Sequence, residues 1–117
     1  MQDCKVNILG TEYSIQFVQK FPDRLNEFQE IADGLCNSYN REIYINNKRN
    51  QEMTDEGFEL LQKKTLRHEI IHAFLFESGL SSNTSYCGAW AESEELVDWM
   101  AIQYPKILKV FNDVGAL

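Results

Sequence analysis

Residues 54–79 read "TDEGFELLQKKTLRHEIIHAFLFESG", and the reading of this stretch decides the fold. Thr54 is a natural N-cap, Asp55 and Glu56 follow in the first turn, where the helix dipole favours acids, and Gly79 suits the C′ position. The segment is therefore predicted to be one helix, the longest element in the chain. Its faces change along its length. Lys63, Lys64 and Arg67 give the first half a polar side, whereas "IIHAFLF" is apolar nearly all round and is expected to be buried.

The pentapeptide "HEIIH" at 68–72 holds both histidines of the chain. On a helix, positions four apart lie about 40° apart on one face, so the two imidazoles can reach one metal ion, while Glu69 sits about 100° further round, beside the metal and off its ligand set. Zinc takes imidazole nitrogen well, and a catalytic site adds a third protein ligand and a water. Glu69 would then act on that water as general base, the chemistry carried by H-E-x-x-H. A single histidine in an apolar helix is usually a core residue. Burying two of them with a carboxylate for no shared purpose would cost several kcal/mol in unpaired polar groups. Manganese, cobalt or nickel could occupy the same donors as zinc.

With only two histidines, the third ligand must be a carboxylate or a thiolate. Downstream, "ESEELVD" offers Glu92, Glu94, Glu95 and Asp98. Glu94 and Asp98 are the pair at i,i+4, with the small residues Ala91 and Ala101 flanking that face. The reading is Glu94 on the metal, and Asp98 accepting the N–H of a ligating histidine to fix its tautomer. Cys87 and Glu95 are the alternatives, and Glu92 suits a solvated first turn favoured by the dipole. Tyr86 and Tyr104 are further candidates for stabilising an oxyanion, although each is more often an ordinary packed or surface residue.

Upstream, residues 5–18 read as a β-hairpin turning at Gly10-Thr11. The segment "PDRLNEFQEIADG" fits either a short helix stopped by Gly34 or an irregular loop. "LCNSYNREIYINN" fits a short strand, a polar turn and a second strand, "EIYIN". After a loop at "LSSNTSYCG", "AWAESEELVDWMAIQY" reads as a helix stopped or kinked by Pro105, with "KILKVFNDV" a separate short terminal helix. Together these elements make an α+β fold, a small antiparallel or mixed sheet packed on the histidine helix and the glutamate helix that follows.

The 117 residues suit a single domain able to bury a core without disulfides. Net charge is −7, and 10 of the 18 acids follow Met53, around and after "HEIIH", where a cation would offset them. No dense Lys/Arg cluster exists, so nucleic acid is not an expected partner. No membrane span or signal peptide is expected, and three cysteines without a CxxC pair read as reduced thiols of a cytoplasmic protein.

"HEIIH" on one helix with Glu94 to Asp98 as "ExxxD" on the next resembles the gluzincins, zinc metallopeptidases whose third ligand is glutamate. More narrowly, "SEELVDWMA" resembles the compact ImmA/IrrE-type metallopeptidases and related prophage proteins, whose glutamate helix reads E-x-x-A-N-x-F-A. Those positions here are Glu94, Val97, Asp98, Met100 and Ala101, with valine for alanine and aspartate for asparagine. The resemblance covers residues 35–102. It implies a minimal zincin-like domain and a zinc peptidase acting on a protein or peptide. It also implies an edge strand, Glu42–Asn46, that accepts extended substrate by β-augmentation. The alternative is a zinc-bearing prophage binding or assembly protein that keeps the fold and cleaves nothing.

Overall fold

A computed structural model describes residues 1–28, 32–83 and 90–114. Four strands, β1 (Cys4–Ile8), β2 (Thr11–Val18), β3 (Gly34–Asn37) and β4 (Glu42–Asn46), form one sheet in the order β1-β2-β4-β3. Two helices follow, α1 (Asp55–Glu77) and α2 (Glu94–Asp113), with short 3-10 turns at Asp23–Phe28, Ser81–Asn83 and Trp90–Glu92. The fold is α+β with a mixed sheet. β1–β2 and β3–β4 pair antiparallel, while β2 and β4 run parallel with Ser14 opposite Glu42.

The hairpin forms one residue earlier than its glycine indicates. Thr11 already pairs with Ile8, and the turn is Leu9-Gly10, with φ of 51° and 93°. Two positive φ values match the right-handed strand twist, and leucine bears the strained position beside the glycine. Gly34, expected to stop a helix, instead begins β3, and the helix-or-loop segment before it contains the 3-10 turn Asp23–Phe28. β4 was expected at a sheet edge and is internal, between β2 and β3. Its Ile43, Tyr44 and Ile45 are all buried, as a strand covered on both faces requires. The edge nearest α1 is β3.

Ile8, Tyr13, Ile15, Ile43 and Ile45 form the core with Ala73 of α1, and Leu66 and Ile70 pack against it. α1 is capped as its sequence predicts. Thr54 Oγ1 accepts the Gly57 N–H at 3.0 Å, and Gly79 takes φ of 84° just past the C-cap Ser78. Its second half is less buried than expected: within "IIHAFLF" only Ala73 is fully buried, and Phe74 is 41% exposed. The helix lies on one face of the sheet, so its remaining sides face α2, a cleft and solvent. At its C-terminal end, where the dipole disfavours an acid, Glu77 is held by Tyr13 Oη at 2.7 Å and Thr11 Oγ1 at 3.1 Å. Burial, and then Glu77, push the Tyr13 hydroxyl up to about 12.

α2 departs from expectation at both ends. It begins at Glu94 because Ser93 caps it, with Ser93 Oγ accepting the Leu96 N–H at 3.4 Å. It also runs through Pro105 to Asp113 without the expected break. Proline lacks the N–H that the Ala101 carbonyl would accept. Arg67 Nε of α1 donates to that carbonyl at 2.6 Å instead. Arg67→Met is expected to cost about 1–3 kcal/mol by orphaning a carbonyl. In a Pro105→Ala background, where the backbone N–H returns, the cost should shrink by about 1 kcal/mol in a double-mutant cycle read by urea unfolding. Among the described residues no helix is long and apolar enough to cross a membrane.

Candidate metal centre

α1 and α2 meet at the histidine face. His68 Nε2 lies 2.8 Å from Glu94 Oε2, His72 Nε2 lies 3.0 Å from Glu94 Oε1, and the two Nε2 atoms are 3.1 Å apart. The rings stand edge to face. Among the described residues, His68, His72 and Glu94 are the group whose donor atoms converge closely enough to hold a metal ion. Glu92 and Glu95 lie outside that group, and Cys87 and Tyr86 fall outside the described residues. Tyr104, 54% exposed, is not among the described residues lining the site.

The donor chemistry fits a cation. Asp98 Oδ1 lies 3.3 Å from His68 Nδ1. If that nitrogen carries the proton and donates to the carboxylate, His68 Nε2 presents a bare lone pair to the Glu94 oxygen and to His72 Nε2. The two histidine nitrogens, 3.1 Å apart, and the Glu94 oxygens facing them at 2.8 and 3.0 Å all carry lone pairs, which repel unless a proton or a metal lies among them. Tetrahedral zinc, with bonds of about 2.0–2.1 Å, separates its ligand atoms by about 3.3 Å. With one Glu94 oxygen as the ligand, the three donor atoms lie within 4.8 Å of one another, close enough for a common ion, and the Glu94 side chain, 72% exposed, is free to adjust.

Glu69 is placed as the helical offset predicts, off the donor set but in the same cleft, and it is 6% exposed. Burial, with the Glu94 charge adding to it and Lys64 opposing, pushes its carboxyl up to about 8. Burial holds the His72 imidazole below its ordinary value, against the pull of Glu94. The cleft has a volume of about 620 Å³ and is walled by β3, α1 and the start of α2, with Gly34, Cys36, Leu75 and Ala91 among its lining.

Three contributors were not singled out from the sequence. A Cβ on Gly34 would lie 2.7 Å from Thr65 Cγ2 and 3.1 Å from Glu69 Oε1, so glycine is what lets β3 approach α1 at the carboxylate. Cys36, on the same strand, lines the cleft with a thiol that burial pushes up to about 11, far from a reactive thiolate. Lys64 reaches Asp98 Oδ1 at 2.8 Å. Its position four residues before His68, on the same helix face, was the available signal. No protein-family model, no curated protein and no solved structure matches the chain.

Proposed function

We propose that the chain is a zinc-dependent peptidase of minimal zincin-like fold, with His68, His72 and Glu94 as metal ligands and Glu69 as general base. The observation that carries the reading is a convergent two-histidine, one-carboxylate donor set with a second carboxylate, Glu69, buried in the same cleft and outside that set. A site meant only to hold a metal has no need of the second carboxylate.

Zinc held there supplies Lewis-acid polarisation of a scissile carbonyl and acidifies the attacking water. Glu69 takes the water's proton on a carboxylate oxygen and returns it to the leaving amine nitrogen. Asp98 fixes the His68 ring by accepting from Nδ1, which aims Nε2 into the cluster. Among the described residues β3 is the sheet edge beside the cleft, where an extended peptide could pair with it, the role that β4 cannot fill from inside the sheet. Past Leu35 a second groove runs between Leu25, Tyr39 and Phe76 on its apolar side and Asn37, Ser82 and Glu92 on its polar side, with room for substrate side chains.

The purified protein is expected to carry one equivalent of zinc by elemental analysis and to cleave an unstructured protein. Chelation should abolish cleavage and lower the melting temperature, and added zinc should restore both. His72→Ala should lose both metal and cleavage. One equivalent of zinc with no hydrolysis of any unfolded chain would instead support a metal-bearing binding or assembly protein.

A further inference from the structure

We propose that Lys64 is a positioning residue for the metal centre, acting through Asp98 on His68; the inference rests on the reading of His68, His72 and Glu94 as ligands. Lys64 and His68 stand one turn apart on α1, and Asp98 and Glu94 stand one turn apart on α2. They pair across the interface as two rungs, Lys64 Nζ to Asp98 Oδ1 at 2.8 Å and His68 Nε2 to Glu94 Oε2 at 2.8 Å. The rungs are linked, because the oxygen that Lys64 holds is the same Oδ1 that lies 3.3 Å from His68 Nδ1.

The distances rank the two contacts on that oxygen. The short bond is to the ammonium and the long one to the imidazole, so Lys64 decides where the carboxylate sits and His68 takes its orientation from it. Asp98 needs such an anchor. Its side chain is 38% exposed, and a carboxylate that open to water would otherwise exchange among rotamers with no fixed acceptor for the ring. Among the described residues Lys64 is the only lysine or arginine lining the cleft, and its ammonium is paired with Asp98.

Position and charge make opposite predictions here. An ammonium near a dication repels it, so a purely through-space role means that removing Lys64 tightens zinc binding. A positioning role means that removing it weakens binding. Zinc affinity measured by competition with a chromophoric chelator distinguishes them. Lys64→Met is expected to weaken zinc binding about tenfold, in the range typical of groups that orient metal-bound histidines. Lys64→Arg, which keeps a cation within reach of Asp98, should stay within about threefold of wild type. Asp98→Asn should weaken binding about tenfold or more, and adding Lys64→Met to it should change nothing further, because the route through Asp98 is already cut. Tighter binding by Lys64→Met, no change, or additive losses in the double variant each overturn the role of Lys64 while leaving the metal site standing. Wild type that binds no zinc overturns the site and Lys64 with it.

Discussion

Glu69→Gln is expected to lower peptide hydrolysis by about 10²–10⁴-fold while zinc content stays at one equivalent. Glutamine keeps the shape of the side chain and its place in the cleft but cannot take a proton from water. Since Glu69 is not among the converging donors, the metal has no reason to leave. The loss should fall on kcat and kcat/KM alike, because the interaction removed exists in the transition state and not in substrate binding. His72→Ala provides the contrast, where cleavage falls because the metal is lost. Equal rates for wild type and Glu69→Gln at matched zinc would remove Glu69 from the reaction and leave the proposed mechanism without a base.

What could be read from the sequence was what is local. Thr54, Asp55, Glu56 and Gly79 mark the ends of α1 because caps and dipoles act within one turn. The convergence of His68, His72 and Glu94 is the leading reading because two i,i+4 pairs on successive helices leave few ways to pack, while a count of two histidines removes only a third histidine ligand and leaves Glu95 and Cys87 as alternatives. Other contacts between segments far apart in the chain were not readable. Nothing near Glu42–Asn46 says that β2 will pair beside it in parallel, which moves the free edge to β3. Pro105 breaks an isolated helix, and only a donor from another element, Arg67, lets this one continue. Gly34 looked like a helix stop because its role is steric, toward Thr65 and Glu69 on a segment far along the chain. The start of α2 differs in kind, since Ser93 before two acids is a local cap signal.

The same substitution that removes activity should stabilise the metal-free protein, and do so more at pH 8 than at pH 5. In the fold the Glu69 carboxyl is pushed up to about 8, first by burial and then by Glu94, whereas an unfolded glutamate titrates near about 4.3. Between those values the unfolded chain has released a proton that the folded chain still holds. Stability therefore falls as pH rises through the window and levels off above the folded value. Glutamine has no proton to lose and escapes that loss. The gain from Glu69→Gln should be near zero at pH 4 and grow to the order of 4–5 kcal/mol by pH 8. Other shifted groups drop out of the comparison. His72, held low by burial, and Asp98, held low first by Lys64, make the fold less stable toward acid, but they do so in both proteins. Urea unfolding of chelator-treated wild type and Glu69→Gln across this range measures the difference directly. A gain that does not change with pH would mean that Glu69 is solvated and ionised in the fold. On the proposed reading, the positive charge of a bound metal would offset this cost, which would tie the stability of the helix to metal binding.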